Sequence, residues 1–322
     1  MWKKIGLIVL GIVVLLAIVY GVMALITKPA EDHPFFEQQG VLVIAHQGGR
    51  GLWPDNTIYA FEQAVSMGVD VLEMDVHSTA DGVLVTMHDE TVERTTNGSG
   101  PIHSFTLAEL KQLDAGYNWT DDDGATYPYR GQGVTVPTLE EIFSGFPDMR
   151  MNIEIKQWEP AIVADFCQMV RDFDREDKVL VGSFDADMVL TFRELCPGAA
   201  TSTTEPEARR FLYLNTVFLG AVYRPPAEAF QLPEYHGGMH VVTGRFVEGV
   251  HRHNMDVHVW TVNEEEDMQR LIDLNVDGII TDYPDRLLRV LGRSGDDGRW
   301  LLVGVTQDAR RRVTQFQGKE AV

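Results

Sequence analysis

The feature that most constrains the fold is a regular alternation of short apolar segments with amphipathic segments between residues 41 and 291. The apolar segments have the length and continuous hydrophobicity of buried strands, and the amphipathic segments have the apolar spacing of helices. Repeated strand–helix units in one domain of about 250 residues predict an α/β fold, a parallel (β/α)8 TIM barrel. The predicted barrel strands are 41–45, 71–76, 151–155, 179–183, 199–203, 239–242, 257–262 and 277–281. The predicted helices include 161–172, 186–195, 206–212, 246–254, 264–273 and 284–291, besides one that begins at a cap, Asp55 or Asn56, and ends at Gly68.

A further strand-like segment, 83–87, follows 71–76 after a short connection that contains Asp81-Gly82. Asp-Gly between two such segments is typical of a hairpin, whereas a parallel crossover needs about a dozen residues. We therefore expect 83–87 to pair antiparallel with 71–76 and not to be one of the barrel strands. This pairing places His88 opposite or next to Glu73 and Asp75.

Polar side chains collect at the ends of the first predicted strands. His46 ends the first strand, and Glu73 and Asp75 share one face of the second because side chains alternate along a strand. Two carboxylates on one face of an apolar strand repel each other unless a cation lies between them. Oxygen ligands of this kind are typical of Mg²⁺ or Ca²⁺ sites. In the alternative interpretation each side chain, His88 included, is accommodated separately, but this does not account for all four occurring together.

Two later strands carry further candidate site residues. Asn152, Glu154 and Lys156 share one strand face. Glu154 and Lys156 either form a simple ion pair, or Glu154 is a metal ligand and Lys156 contacts a phosphate. The carboxylates of the second strand favour the second interpretation. Trp260 is either a core residue or an apolar wall of the substrate pocket, and Asn263 is expected to cap the next helix. Active sites of such barrels lie at the carboxyl ends of the strands, near which these residues fall.

The order and spacing of these motifs resemble the glycerophosphodiester phosphodiesterase family, whose pattern is H-R-G, P-E-N-T, E-x-D-V, D-G and H-D. The corresponding segments are His46-Gln47-Gly48, Pro54-Asp55-Asn56-Thr57, Glu73-Met74-Asp75-Val76, Asp81-Gly82 and His88-Asp89, with further matches at 94–96, 152–156, 259–263 and 277–282. The matches extend from about residue 42 to 285, which is nearly the whole soluble part of the chain.

The resemblance implies a barrel enzyme that hydrolyses glycerophosphodiesters to glycerol 3-phosphate and an alcohol. It implies that His46 and His88 are the general acid and base, with either water or a neighbouring substrate hydroxyl as the nucleophile. It also implies one divalent cation, Mg²⁺ or Ca²⁺, and a phosphate contact from Lys156. The implied cation ligands are Glu73, Asp75 and Glu154.

Two positions depart from the family pattern. Asp55 replaces the usual glutamate, which is a minor change, and Gln47 replaces the arginine that follows the first histidine. Arginine can bind a phosphate through two charged hydrogen bonds, whereas glutamine offers only neutral ones. We expect Gln47 to contact the substrate. Either Arg50 or Lys156 then compensates for the missing charge, or the preferred substrate differs.

The closest alternative function is that of a lysophospholipase D acting on lysophospholipids at the membrane. An apolar N-terminal segment, the Gln47 departure and an aromatic-rich loop at 93–136 favour an amphiphilic substrate. An inactive membrane protein that binds lipids or phosphodiesters is a third alternative, but the intact His46 and His88 pair argues against it. Four residues of the loop are expected either to cover the site or to pack as ordinary surface aromatics: Tyr117, Trp119, Tyr127 and Tyr129.

The N-terminal residues 5–27 form an uncharged apolar run of about the length that a bilayer requires. Lys3 and Lys4 precede this run, so we expect a cytoplasmic N-terminus and a catalytic domain outside the cytoplasm. A cleaved signal peptide is the alternative to an uncleaved single-pass anchor. The predicted organisation is an anchor at 1–28, a polar linker at 29–40, the barrel domain at 41–292 and a tail of unassigned role at 293–322.

Composition limits the choice of partners. The formal net charge of −21, from 48 acidic and 27 basic residues, argues against a nucleic-acid partner. It also disfavours approach to anionic lipid, so the apolar segment must supply the membrane attachment. Cys167 and Cys196 are expected to be buried free thiols, with a disulfide as the alternative. Three histidines are expected at the surface: His236, His251 and His253.

Overall fold

A nearly closed barrel of parallel strands forms the body of the protein in the computed structural model, which describes residues 2–37 and 40–293. The barrel strands are β1 (Leu42–Ala45), β2 (Val71–Ser78), β4 (Arg150–Ile155), β5 (Val179–Gly182), β6 (Ala200–Thr201), β7 (Ala229–Pro233), β10 (Asp256–Trp260) and β11 (Gly278–Thr281). They pair in the order β6-β5-β4-β2-β1-β11-β10-β7, and a parallel bridge between Ser202 and Ala229 joins the two ends. The predicted (β/α)8 barrel is confirmed.

The helices surround this barrel, and every helix predicted above overlaps an observed one. They are α1 (Trp2–Ile26), α2 (Ile58–Met67), α3 (Leu107–Leu110), α4 (Leu139–Gly145), α5 (Val163–Asp172), α6 (Ala186–Leu195), α7 (Glu205–Thr216), α8 (Gly244–His251), α9 (Glu265–Asp273) and α10 (Pro284–Val290). The predicted cap of α2 is wrong by one or two residues. Thr57, rather than Asp55 or Asn56, caps this helix, because its hydroxyl accepts a hydrogen bond from the amide of Ala60.

One predicted barrel strand is wrong. The segment 239–242 does not enter the barrel; Met239–His240 (β9) instead pairs antiparallel with Tyr235–His236 (β8) in a small hairpin. Gly237 and Gly238 form its turn with positive φ, a conformation that glycine adopts without strain. The sixth barrel strand along the chain is instead β7, which pairs with β10 although it carries a polar Gln231 and ends in a proline.

The short strand β3 (Leu84–Thr86) pairs antiparallel with the end of β2, which confirms the predicted hairpin. The register sets Val76 opposite Thr86, and the amide of Met87 donates to the carbonyl of Asp75 at 3.1 Å. Because β3 runs back beside β2, His88 is brought next to the carboxylates of β2.

Alternation along β2 decides which side chains enter the barrel. Val71 belongs to a small cluster inside the barrel, whereas Leu72 and Met74 pack outward beneath the helices. Glu73 and Asp75 therefore point inward, above Val71 and toward the carboxyl ends of the strands. Phe35, from the segment predicted as a linker, is fully buried and fills the opposite end of the barrel interior.

The N-terminal helix α1 is long and apolar enough to cross a membrane, a property that a signal sequence shares. None of its described residues is buried, and the hydroxyl of Tyr20 donates to the carbonyl of Phe218 at 2.9 Å. At the other end of the domain, Arg293 forms an ion pair with Asp70 at 2.6 Å. The remainder of the predicted tail, 294–322, lies outside the described residues.

The expectation of two free thiols is wrong. Cys167 on α5 and Cys196 directly after α6 form a disulfide, with their Cα atoms 5.8 Å apart. The two helices pack side by side through stacked Phe166 and Phe192. This packing brings together cysteines that are 29 residues apart in sequence, at a distance that a disulfide spans.

Candidate active site

A cavity of about 400 Å³ opens at the carboxyl ends of the strands. One part of its wall is polar and another part is apolar. The polar wall includes His46, Glu73, His88, Asn152, Glu154 and Lys156. The apolar wall includes Phe184, Leu212, Leu232, Val241, Phe246 and Trp260. Of the candidate site residues predicted from the sequence, all but Gln47 and Asp75 line this cavity.

Three carboxylates form a compact cluster at the bottom of the polar wall. One oxygen from each of Glu73, Asp75 and Glu154 lies within 4.8 Å of the others. Burial raises the pKa of Glu73 to about 8, where the imidazole of His46 opposes the shift and the Asp75 carboxylate adds to it. Burial also raises the pKa of Glu154, despite the nearby Lys156. Carboxylates that are buried from water and held this close together favour a positive partner between them.

Lys156 is the cation that the described residues supply to this cluster. Its Nζ lies 2.9 Å from Glu154 and 3.3 Å from Asp75. Burial disfavours its charge, but the carboxylates outweigh that effect and raise the pKa of Lys156. One ammonium group cannot balance three carboxylates, and the Lys156 ammonium at 3.3 Å is the contact that the described residues give to Oδ1 of Asp75. The oxygen donors and their excess negative charge therefore fit a divalent cation.

Gln47 supports the acidic cluster from beneath and does not line the cavity. Its side chain is fully buried, and its backbone adopts a left-handed conformation with φ of 52°. Its backbone amide donates to Glu73 at 2.6 Å, and its side-chain amide donates to Asp75 at 2.9 Å. The side-chain oxygen, Oε1, has no hydrogen-bond partner among the described residues. Gln47 thus holds two carboxylates with neutral donors only.

Asn56 is a site residue that the sequence interpretation treated only as a possible helix cap. Its side-chain amide donates to Oδ2 of Asp75 at 2.9 Å, and its Oδ1 accepts from the Asp75 backbone amide at 3.2 Å. This two-way contact fixes both the backbone and the carboxylate of Asp75. The family-like P-x-N-T motif was the signal for it, because that motif follows the first strand at the edge where Asp75 points.

His46 is held in place by a residue from the last strand of the barrel. Its Nδ1 lies 2.6 Å from Oδ1 of Asp282, and its Nε2 lies 4.0 Å from Glu73. Burial disfavours the charged imidazole, but Glu73 and Asp282 outweigh burial and raise the pKa of His46. With Nδ1 donating to Asp282, Nε2 faces the cavity.

Asp282 received no role in the sequence interpretation, although it ends a matched motif. The register of β1 and β11 sets Ala45 opposite Thr281, so His46 and Asp282 follow their strands side by side. Asn263 donates to the second oxygen of Asp282 at 2.8 Å. The prediction that Asn263 caps α9 is wrong, since Glu264 occupies that position. Active-site residues of such barrels follow the carboxyl ends of the strands. Applying this rule to β11 as well as to β1 would have found the pair of His46 and Asp282.

His88 faces the cavity from the hairpin side. Its Nδ1 lies 2.7 Å from Asp89, and Arg94 donates to Asp89 at 2.7 Å and to Asp55 at 2.9 Å. The side chain of His77 lies 3.3 Å from the backbone carbonyl of His88, which steadies the chain there. Each of the two cavity histidines therefore pairs through Nδ1 with a carboxylate.

Of the three histidines expected at the surface, His236 and His251 are exposed and His253 is not. His236, expected at the surface, is exposed but lines the cavity, because the β8–β9 hairpin overhangs the opening. His253 is buried, and its ring contacts the carbonyl of Gly220 at 2.9 Å. His251 is exposed, as expected, and pairs with Asp277.

The four aromatic residues of the 93–136 loop pack on one another and on neighbouring surface, and they are not among the lining residues of the cavity. Trp119 donates to the carbonyl of Arg50 at 3.1 Å and contacts the Tyr129 ring edge-on. Arg130 lies between the rings of Tyr117 and Tyr127. Arg50 itself lies 4.0 Å from Asp282 and also does not line the cavity.

Histidines and carboxylates thus surround a cavity at the carboxyl ends of the strands, where barrel enzymes carry their active sites. A model of the "Glycerophosphoryl diester phosphodiesterase family" matches residues 46–286. The chain belongs to this family and is a phosphoric diester hydrolase that acts on glycerophosphodiesters.

Three known proteins illustrate the relationship. The chain is 34% identical over 261 residues to a glycerophosphodiester phosphodiesterase of Caldanaerobacter subterraneus, which covers 79% of this chain and 99% of that protein. An Oleispira antarctica phosphodiesterase, solved in complex with its product sn-glycerol-3-phosphate, is 25% identical with a TM-score of 0.60, covering 77% of this chain and 96% of that one. A human protein named as a lysophospholipase D is 27% identical over 273 residues, covering 76% of this chain and 84% of its own length.

Proposed function

We propose that the protein cleaves glycerophosphodiesters to glycerol 3-phosphate and an alcohol, using His46 and His88 as general acid and base. The observation that carries this proposal is the convergence of both histidines on one cavity with a buried acidic cluster. Glycerol 3-phosphate as the product is supported by the structural relative that binds it.

Glu73, Asp75 and Glu154 would hold one divalent cation, Mg²⁺ or Ca²⁺. When bound, the cation neutralises charge on the phosphodiester and polarises its oxygens. Lys156, adjacent to the cluster, supplies a second positive contact for the phosphate.

The two histidines divide the proton transfers between them. Each imidazole pairs with a carboxylate through Nδ1 and is left with Nε2 for the substrate. One histidine takes a proton from the attacking oxygen, and the other gives a proton to the leaving alcohol. Histidine suits both roles because its ordinary pKa lies near neutrality.

A second candidate function is that of a lysophospholipase D, and the apolar wall of the cavity favours it. Leu212, Val241 and Phe246 extend the cavity away from the carboxylates with side chains that cannot hydrogen-bond to a polar head group. Trp260 and Phe184, also in this wall, meet edge-on with their ring centroids 5.7 Å apart, and we propose that Trp260 contacts the apolar part of the substrate. An alkyl or acyl chain fits such a surface better than a second polar group does.

We also propose that α1 anchors the enzyme as a single-pass membrane protein, with the N-terminus in the cytoplasm and the barrel outside. Lys3 and Lys4 precede the apolar stretch, in agreement with the positive-inside tendency. The disulfide between Cys167 and Cys196 supports the same orientation, because disulfides persist mainly outside the reducing cytoplasm.

The test is turnover of glycerophosphocholine and of lysophosphatidylcholine by the full chain in nanodiscs, with Mg²⁺, Ca²⁺ or chelator. The His46→Ala variant is compared with His103→Ala, which removes an exposed histidine outside the cavity. Metal-dependent turnover that is lost only in His46→Ala supports the proposal, and the relative rates on the two substrates separate the two candidate functions. Turnover that survives His46→Ala and chelation would contradict the site assignment.

A further inference from the structure

An open groove of about 840 Å³ lies outside the barrel, between the end of α1 and the outer face of α7. Met23 of α1 lines one side, and Arg209, Arg210 and Tyr213 of α7 line the other, together with Arg224. We propose that this groove and the apolar patch beside it dock on the phospholipid bilayer that α1 enters, with the arginines binding lipid phosphates. The inference rests on the membrane anchor proposed above and specifies how the barrel faces the membrane.

The length of α1 places the groove at the surface of the bilayer. A helix of 25 residues is about 37 Å long, whereas the hydrocarbon core of a bilayer is about 30 Å thick. The last turn of α1 therefore lies at the interfacial region. Met23, which lines the groove, belongs to the last turn, and Tyr20, whose hydroxyl donates to the carbonyl of Phe218, lies one turn further into the bilayer. Whatever domain surface adjoins these residues must lie close to the lipid head groups.

The surface beside the groove is unusually apolar for a face exposed to water. Tyr213, Val217 and Phe218 are 65%, 59% and 77% exposed, and they follow one another along the end of α7. An aromatic and aliphatic patch of this kind indicates an interaction site, and aromatic rings are favoured at the membrane interface. The guanidinium of Arg245 lies 3.7 Å above the Phe218 ring, which adds a cation to the patch.

The charge of the groove is opposite to that of the chain as a whole. The net charge is −21, yet three arginines line this groove. Arg209 pairs with Glu205, whereas Arg210 and Arg224 are exposed and form no ion pair with any residue that the structure describes. Guanidinium groups match phosphate geometry and can bind it through two hydrogen bonds. Phospholipid head groups therefore complement this surface better than they complement the acidic remainder.

Helix α7 also connects this surface to the active site. Its inner face contributes Ala208 and Leu212 to the catalytic cavity, and Glu205 and Arg209 line both the cavity and the groove. Docking of α7 would thus place the apolar wall of the cavity next to the head-group region. A single-chain phospholipid could then pass from the bilayer to the carboxylate cluster over a short distance.

The test uses the full chain in phosphatidylcholine nanodiscs, with the photo-crosslinking residue p-benzoylphenylalanine at position 218. Matched positions are 158, where Trp158 is 69% exposed on the loop after β4, and 8, which lies within the apolar stretch of α1. We expect phospholipid adducts at 8 and 218, with the yield at 218 at least about fivefold above that at 158. Equal yields at 218 and 158, adducts at 218 with a second copy of the chain, or no adducts at 8 would overturn the proposal.

A second arm uses charge reversal in the groove. The double variant Arg210→Glu and Arg224→Glu is compared with Arg252→Glu, an exposed arginine at the end of α8. We expect the double variant to lose at least about fivefold of the turnover of lysophosphatidylcholine embedded in nanodiscs and to keep its turnover of soluble glycerophosphocholine. Unchanged turnover of the embedded lipid would overturn the docking surface. If the wild-type protein turned over neither lysophosphatidylcholine nor glycerophosphocholine, that result would instead contradict the proposed function.

Discussion

His46 and Asp282 lie 236 residues apart in the chain, yet Nδ1 of the histidine and Oδ1 of the aspartate are 2.6 Å apart. The contact exists because β1 and β11 are neighbours in the barrel and both residues directly follow their strands. It orients the imidazole and raises its pKa against the effect of burial. Asp282 is therefore a positioning residue for the proposed proton transfer at His46.

Replacing Asp282 by asparagine should reduce kcat by about 10²-fold, because the imidazole loses its charged partner. Since Asp282 raises the pKa of His46, its removal should also move the His46 limb of the pH–rate profile to lower pH. The measurement is kcat against pH. The control is Asp277→Asn, which removes the carboxylate that pairs with His251 outside the cavity. A variant with an unchanged pH profile would contradict the positioning role of Asp282.

The Gln47→Arg variant tests the meaning of the departure from the family pattern. An arginine there would place a positive charge within hydrogen-bonding distance of Asp75, inside the acidic cluster. We expect the Kd for Mg²⁺, measured by titration calorimetry, to rise at least about tenfold because two cations would compete for the same carboxylates. Gln47→Met is the matched control, since it removes the side-chain hydrogen bond to Asp75 without adding charge. Equal weakening in both variants would mean that hydrogen bonding, rather than charge, sets the affinity.

The stability of the metal-free protein should depend on pH through Glu73. Its folded pKa is about 8 and its ordinary value is 4.5, so the folded state binds more protons between these limits. The free energy of unfolding therefore falls as pH rises from about 5 to 8. With chelator present, we expect Tm to fall by roughly 10 °C across this window.

Excess Mg²⁺ should remove this slope, because a bound cation favours the ionised carboxylate. Glu73→Gln in chelator is the control, and its Tm should lack the part of the slope that Glu73 causes. Thermal unfolding followed by circular dichroism measures both. The assignment of the slope to Glu73 would be wrong if the variant and the wild-type protein gave the same curve.

The disulfide between Cys167 and Cys196 closes a sequence separation of 29 residues. For a loop of this length, chain-entropy arguments give a stabilisation of about 3.6 kcal/mol. We expect the double variant Cys167→Ser and Cys196→Ser to lose about this amount in urea unfolding while retaining turnover of glycerophosphocholine, since neither cysteine lines the cavity. An equal unfolding midpoint with and without reductant in the wild-type protein would contradict the disulfide.

Filling the apolar wall should separate the two candidate substrates. Leu212→Trp adds bulk to the wall away from the carboxylates, so lysophosphatidylcholine turnover should fall about tenfold while glycerophosphocholine turnover is retained. Leu190→Trp, on the exposed face of α6, is the control. A parallel loss of both activities would mean that this wall does not distinguish the substrates.

Local patterns predicted much of the fold. Strand β2 was predictable because Glu73 and Asp75 alternate with apolar residues, and the β2–β3 hairpin followed from Asp81-Gly82. Strand β7 was not predictable, because it contains Gln231 and Pro233, while the more apolar segment after Gly238 forms a hairpin at the cavity opening. Whether a segment becomes a barrel strand depends on the strand that it pairs with, here β10, and that partner lies in a distant part of the sequence.

The sequence by itself determined the barrel, its membrane-compatible helix and the set of histidines and carboxylates at the strand ends, since these depend on periodicity and motif order along the chain. Tertiary structure alone decided that Asp282 orients His46, that Gln47 lies beneath the acidic cluster, and that Cys167 meets Cys196. The physical reason is that hydrogen bonds, pKa shifts and disulfides require contact within a few ångströms, and closure of the barrel brings together residues that no local pattern relates.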